Sequence, residues 1–405
     1  MTGAARGRTT GAAGGRARAA GLVCGSAAPL PRRPSLTTPA HLLPAHAAAR
    51  RRRQLAAQPW SGLGGALLTA AVFFALALGT GSAATSLLVL GPLATFALPA
   101  VAMMAFWWHD WPGSRLSTPW TGLLDTVLLA AAAVVLTIAG QAVVERSDLR
   151  GVFQAEPGPA AAATFPATLP LAAALFTAML QLTLVCERWP LAGMGRLSSG
   201  AAALALTWAI GTGAYLLLVN HGAVPAAERA AAGLRDPGGP VPAADFGAAL
   251  AAVGVWQGVF FIALRGWPVN AVARRGPRLL AGNALVIAAG AVTYLLLREP
   301  AGLRPAAISA ACGCVIGAVL VVAVLFEGWP AARLRPLPCR VLTLALIALV
   351  AFVLHRALGA YAGGRHWTRA TADDWVTTAA LSFLGTAIVL HVGVGLRWPF
   401  APKDP

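Results

Sequence analysis

The sequence predicts an all-α fold, a polytopic bundle of transmembrane helices with about ten spans. Three observations predict it: an apolar composition, a series of apolar stretches of spanning length, and a Trp-Pro dipeptide after every second stretch. Of 405 residues, 58% are hydrophobic and 11% are charged. Soluble domains carry about 25% charged residues, and disordered chains need low hydrophobicity. The composition therefore excludes both of these classes.

The chain begins with a basic segment that has the composition of a disordered tail. Residues 1–59 are rich in Arg, Ala, Gly and Pro, and Arg50 to Arg53 directly precede the first apolar stretch. Such a run fixes a tail in the cytoplasm and attracts anionic lipids. We therefore expect a disordered cytoplasmic tail at 1–59, a transmembrane domain at 60–400 and a short cytoplasmic C-terminus at 401–405. A twin-arginine export signal and a start codon placed too early are the alternatives for the tail.

Ten stretches are apolar enough to cross a membrane, which takes about 20 residues in a helix. The predicted spans are 61–80, 86–107, 119–143, 167–187, 198–219, 246–265, 279–297, 305–327, 339–359 and 376–396.

A Trp-Pro dipeptide closes every even-numbered span. Tryptophan favours the membrane interface, and proline ends helices. Each repeat is therefore expected to be a linker, an outgoing helix, a loop and a returning helix, which gives five hairpins in parallel orientation. The strings Tyr215-Leu-Leu-Leu218 and Tyr294-Leu-Leu-Leu297 suggest duplication. The tryptophans that mark the interface are Trp111, Trp189, Trp267, Trp329 and Trp398.

The distribution of basic residues predicts the orientation. The tail and the Trp-Pro side hold 22 of the 31 Lys and Arg residues, and the opposite side holds nine. By the positive-inside rule, both termini are expected in the cytoplasm and the protein in the inner (plasma) membrane. The net charge of +17 serves this orientation, so the lipid bilayer, with anionic lipids at its cytoplasmic face, is the expected partner and nucleic acid is not.

Strongly polar residues inside the spans are the default candidates for function. Asp125 and His391 lie at similar depth and suggest a proton relay, with Gln181, Gln257 and Asn283 as further binding candidates. The alternatives are an interfacial acid near a helix N-terminus for Asp125 and interhelical hydrogen bonds for the others.

Two further features concern packing between helices. Gly313 and Gly317 form a G-x-x-x-G motif that predicts close helix packing. Glu187, Arg265 and Glu327 each lie two residues before a Trp of the repeat, so a Glu-Arg-Glu cluster between hairpins is one hypothesis. Solvated interface charges of little energetic value are the alternative.

The sequence lacks the motifs of ATP hydrolysis, zinc proteolysis and α/β-hydrolases. We expect no cofactor, no metal and no catalytic residues. A transporter or permease is the leading hypothesis, and a structural or accessory subunit is the first alternative. A lipid-modifying enzyme with His109, Asp110 and Glu187 at the interface is the second.

Overall fold

The computed structural model describes residues 52–117, 119–144, 147–154, 164–367 and 371–401. The predicted tail before residue 52 and the end of the chain after residue 401 lie outside the described residues. Nine of the described helices are long and apolar enough to span a membrane, which makes this a multi-pass integral membrane protein. The predicted fourth span is the shorter apolar helix Leu169–Val185, whose 17 residues are at the lower limit of spanning length.

Within the described residues, ten helices make up the bundle, and all five even-numbered ones end in a π-helical segment. We number them α1 (Trp60–Leu78), α2 (Ala83–Ala102, π at Met103–Trp108), α3 (Trp120–Val143), α4 (Leu169–Leu180, π at Gln181–Val185), α5 (Arg196–Leu218), α6 (Ala243–Gln257, π at Gly258–Ala263), α7 (Arg275–Arg298), α8 (Pro305–Val319, π at Leu320–Leu325), α9 (Pro336–Gly363) and α10 (Ala372–Val394, π at Thr378–Phe383 and Leu390–Val394).

Short elements lie in the loops at the opposite end from the Trp-Pro turns. A one-turn helix covers Leu149–Val152, and a two-turn helix covers Ala226–Ala232. Strands β1 (Val219–Asn220) and β2 (Val241–Pro242) pair in parallel and join the end of α5 to the start of α6. We call this end of the bundle the loop end.

The helices form two concentric rings. The even-numbered helices contact one another in the closed order α2, α4, α6, α8, α10, and the odd-numbered helices pack outside them. We compared the share of buried residues in the most apolar 18-residue stretch of each helix. This share is 17% to 22% for the odd-numbered helices and 56% to 89% for α2, α6, α8 and α10. The even-numbered helices therefore form the core, and the odd-numbered helices face lipid.

The outer helices expose many large apolar side chains, as expected for contact with lipid. Leu67, Leu217 and Leu280 are each more than 70% exposed. In lipid, such residues lose no hydrophobic energy by exposure, so helices here are held by close packing instead. Small residues supply that packing: Gly140 on α3 contacts Phe96, and Gly211 on α5 contacts Leu175.

The tightly packed pairs differ from the predicted hairpins. The most extensive contacts of the outer helices join α2 to α3, α4 to α5, α6 to α7 and α8 to α9. These partners are connected through the Trp-Pro linkers, whereas the prediction paired helices through the loop end. The linkers at 109–119, 186–195, 264–274 and 326–335 are short, so each outer helix returns along the inner helix that precedes it.

The five Trp-Pro turns share one backbone geometry. The two residues before each Trp have positive φ, as in Glu187 (49°) and Arg188 (63°), and each Trp-Pro peptide bond is cis. The N–H of the second of these residues donates to the carbonyl six residues earlier, as from Arg188 to Leu182 and from Arg397 to His391. Left-handed residues at a helix end allow the chain to turn sharply and satisfy free carbonyls.

Candidate functional site

The five inner helices surround a partly open cavity of about 840 Å³. All of them contribute to its wall, which extends from loop residues such as Asn220 and Val224 to Gln257 and Ile316 near the ends of the α-helical segments of α6 and α8. Of the described residues, none from the π segments that precede the Trp-Pro turns lines it. The cavity therefore occupies the loop half of the bundle, and we call it the chamber.

The wall of the chamber is mainly apolar, with a few hydroxyl and amide groups. Thr95 donates its hydroxyl hydrogen to the Gly91 carbonyl at 2.8 Å and lies 2.9 Å from the Ser382 hydroxyl. Because Thr95 has one hydrogen, Ser382 donates to it. Ser309 and Thr377 add further hydroxyls to the wall. Such a lining suits a small molecule that is largely apolar and makes a few hydrogen bonds.

Charged groups of the wall lie near the loop end and are acidic. Asp245 and Asp374, in the first turns of α6 and α10, line the chamber, and no Arg or Lys of the described residues does. Asp245 accepts from the Tyr294 hydroxyl at 2.6 Å and from Arg298 Nε at 3.1 Å. Asp374 caps its own helix by accepting from the backbone N–H of Thr371 at 2.8 Å.

A hydrogen-bonded network holds His221 at the chamber wall. Its Nε2 lies 2.9 Å from the Tyr215 hydroxyl, and its backbone N–H donates to Asp236 at 2.9 Å. Burial lowers the pKa of His221, while Asp236 opposes and Arg229 reinforces the shift. Burial alone would raise the pKa of Asp236, but backbone N–H bonds from His221 and Gly238 and the Arg229 ion pair keep it below its usual value. At neutral pH the imidazole is therefore uncharged.

Three of the residues singled out in the sequence meet in one chain of amides. Gln257 Nε2 donates to Gln181 Oε1 at 2.6 Å, and Gln181 Nε2 donates to Asn283 Oδ1 at 2.7 Å. This chain links α6, α4 and α7. Gln257 also donates to the Thr177 carbonyl at 3.0 Å and lines the chamber. Its Oε1 is buried and accepts no hydrogen bond from the described residues.

Asp125 and His391 are buried but lie outside the chamber wall. Asp125 Oδ1 accepts from the Gly113 backbone N–H at 2.9 Å and so anchors the linker between α2 and α3. His391 faces α1 at Gly65, where an added Cβ would lie 2.6 Å from its Nε2. The structure therefore places these two side chains against different neighbours, with the Asp125 carboxylate buried under this linker.

Two arginines tie neighbouring inner helices together at the Trp-Pro end. Arg397 donates to the carbonyls of Val324 at 2.6 Å and Leu325 at 3.0 Å, and Arg188 donates to the carbonyl of Phe106. Both arginines directly precede a Trp of the repeat, and Val324 and Phe106 both lie five residues before one. The π segments contain these carbonyls. We call each contact an arginine clasp.

The glutamates of the repeat have partners other than the predicted Arg265. Glu187 forms a bidentate pair with Arg278 at 2.8 and 3.0 Å, and Glu327 pairs with Arg397 at 2.5 Å. The Arg265 backbone carbonyl accepts from the Asn270 side chain at 2.7 Å. Arg278 lies in the first turn of α7, and Arg397 lies in the Trp-Pro turn after α10. Neither partner therefore stands at the position of the repeat that Arg265 occupies.

Gly313 and Gly317 contact the backbone of α10. An added Cβ would lie 3.3 Å from the Thr377 carbonyl oxygen at Gly313 and 2.9 Å from the Ala380 carbonyl oxygen at Gly317. The motif thus brings α8 against α10 inside the bundle.

Five polar residues of this end of the bundle were not predicted from the sequence: Asp245, Asp374, His221, Thr95 and Ser382. Ionisable groups in the middle of spans were the predicted candidates, whereas Asp245 and Asp374 lie in first helical turns. A signal was present, since these two acids begin apolar helices at the same end of the bundle.

Comparison of the chain with protein-family models, with curated proteins and with solved structures gives no match.

Proposed function

We propose that this protein is a transporter that moves a small, largely apolar solute across its membrane. The chamber is the observation that carries this proposal. Its volume of about 840 Å³ falls in the range of about 300–1,000 Å³ that is typical of small-molecule sites. A structural or accessory subunit would gain nothing from an internal space of this size, because empty volume weakens packing.

The two ends of the inner ring support an alternating mechanism. The loop half holds the chamber, while the other half is closed by packed π segments and by arginine clasps. A transporter exposes one central site first to one side and then to the other. The described arrangement corresponds to the state that opens toward the loop end, and breaking the clasps would open the Trp-Pro end.

The lipid-modifying alternative placed His109, Asp110 and Glu187 together at the Trp-Pro interface. Glu187 and Glu327 are both in ion pairs with arginines. These pairs favour a structural role for the two glutamates over an enzymatic one.

We also propose that the Trp-Pro end faces the cytoplasm of the inner membrane, with both termini on that side and anionic lipids around its arginines. The excess of basic residues on this side supports the orientation. The parallel five-fold repeat is supported by the shared geometry of the Trp-Pro turns.

Cysteine labelling from each side of the membrane tests transport without knowledge of the solute. In a variant without the native cysteines, Ser309→Cys places a thiol in the chamber wall, and Ala310→Cys places one at a fully buried neighbour as the matched control. Vesicles of both orientations are treated with a membrane-impermeant maleimide. We expect Cys at 309 to react from the loop side and, more slowly, from the Trp-Pro side, with no reaction at 310.

Reaction from the loop side alone would indicate a one-sided binding chamber and contradict transport. Absence of reaction from both sides would contradict the chamber itself.

A further inference from the structure

The charge of the chamber wall is opposite in sign to that of the whole chain. The chain has 31 Lys and Arg against 14 Asp and Glu. The wall contains Asp245 and Asp374, and no Lys or Arg among the described residues. The chamber is therefore an acidic site inside a strongly basic protein, and its wall disfavours an anionic solute.

Each of these carboxylates keeps one oxygen available to a solute. Tyr294 and Arg298 both bind Oδ1 of Asp245, and Thr371 binds Oδ2 of Asp374 through its N–H and its hydroxyl. The second oxygen of each carboxylate forms no hydrogen bond within the described parts of the chain. Arg298 offsets part of the Asp245 charge, but its side chain is 40% exposed and lies outside the wall.

The remaining polar groups of the wall add no positive charge. His221 is uncharged at neutral pH and uses Nε2 for its contact with Tyr215. Farther from the loop end, Gln257 Oε1 is a buried acceptor without a donor. An unsatisfied buried acceptor is unfavourable unless a donor reaches it, so this group independently points to a ligand that supplies hydrogen-bond donors or positive charge.

We propose that the solute of the chamber is an amphipathic organic cation, with an ammonium group near Asp245 and Asp374 and an apolar body against residues such as Phe176 and Leu250. This inference rests on the proposed function and names its substrate class. Charge attraction selects the sign of the solute, and the apolar wall contributes through burial.

Three isosteric probes test the sign of the charge. They are 3-hydroxyphenyltrimethylammonium (a cation), 3-tert-butylphenol (neutral) and 3-hydroxybenzenesulfonate (an anion). Each is measured by its protection of Ser309→Cys from loop-side labelling and by titration calorimetry with the detergent-solubilised wild-type protein. The cation is expected to half-protect at a concentration about tenfold below that of the phenol, and the sulfonate is expected to protect least.

Charge-neutral variants locate the effect. Asp245→Asn and Asp374→Asn should each reduce the preference for the cation over the phenol severalfold. Asp373→Asn is the matched control, because Asp373 pairs with Arg304 and is not part of the wall. It should leave the preference unchanged.

Equal protection by cation and phenol, or stronger protection by the sulfonate, would overturn the inference. An unchanged preference in both Asp variants would also overturn it. In these cases only the proposed class of solute fails, and the proposed function is retained if the thiol at position 309 reacts from the loop side without a probe. If that thiol does not react, the proposed function fails, and calorimetry still decides whether the wild-type protein prefers the cation.

Discussion

Arg397 donates to the carbonyl oxygen of Val324 at 2.6 Å, and its guanidinium also pairs with Glu327 at 2.5 Å. The Arg397 side chain is 5% exposed, so its charge depends on these partners. The contact joins α10 to α8 across the closed end of the bundle. Arg188 joins α4 to α2 in the equivalent way, so the arginine clasp occurs at two places in the inner ring.

Removal of the Arg397 clasp should destabilise the bundle. Arg397→Met removes the ion pair with Glu327 and the hydrogen bonds to two carbonyls. Breaking a buried pair costs about 3–5 kcal/mol. Thermal unfolding in detergent measures the effect. Arg333→Met is the control, because Arg333 is exposed, and it should change the melting temperature little. Equal melting temperatures for the two variants would show that the clasp contributes no stability.

The linker contact of Asp125 predicts a specific intolerance at Gly113. A Cβ on Gly113 would lie 2.5 Å from the Thr121 carbonyl oxygen, and Asp125 is its other close neighbour. Gly113→Ala should therefore lower stability by about 1–3 kcal/mol, the usual effect of overpacking. Gly193→Ala is the matched control, because Gly193 lies in the corresponding 3-10 turn with no atom within 4 Å. Similar stabilities of the two variants would contradict the contact.

His221 predicts a dependence of stability on pH. Because burial lowers its pKa below the usual 6.5, the unfolded chain takes up a proton before the folded protein does. The contribution of His221 to the free energy of unfolding is complete above about pH 6.5, and it is lost as the pH falls toward the lowered pKa. His221→Gln should therefore melt with a smaller decrease between pH 7.5 and 5.5 than the wild type. Asp236, whose pKa lies below its usual 3.8, does not titrate in this window. Parallel melting curves for both proteins would contradict the prediction.

Reporter fusions test the topology. Arg298 ends α7 and Arg340 lies in the first turns of α9, so a single span, α8, separates the Trp-Pro end from Arg298. Fusions after Arg298 and after Arg340 should report opposite sides of the membrane. The same side for both would be inconsistent with the orientation of these helices.

The sequence predicted the helices well because apolar length is a local property. The predicted span 305–327 corresponds to Pro305–Leu325, and 119–143 corresponds to Trp120–Val143. Whether a helix belongs to the inner or the outer ring is not a local property of its sequence. Both α8 and α9 are uniformly apolar in sequence. In the structure, however, 67% of the most apolar stretch of α8 is buried, against 17% of that of α9. Which of them faces lipid depends on packing across the whole bundle.

The site was predictable only in part. The amides Gln181, Gln257 and Asn283 were identifiable as polar groups in apolar spans, and the structure joins them. The chamber acids were not identifiable in this way, because an Asp in a first helical turn is also an ordinary helix-stabilising residue. The hydrogen bond from Arg397 to the Val324 carbonyl was not predictable from the sequence. It depends on the π segment that exposes this carbonyl, and no sequence pattern indicated that segment.

A link between the Arg397 clasp and access to the chamber can be measured in one experiment. The labelling rate of Ser309→Cys from the Trp-Pro side is measured with and without Glu327→Gln, which weakens the Arg397 clasp but keeps the shape of the side chain. If the chamber alternates between the two sides, this change shifts the population toward the state open at the Trp-Pro end. We therefore expect faster labelling from the Trp-Pro side and slower labelling from the loop side. Unchanged rates from both sides would contradict the alternating mechanism.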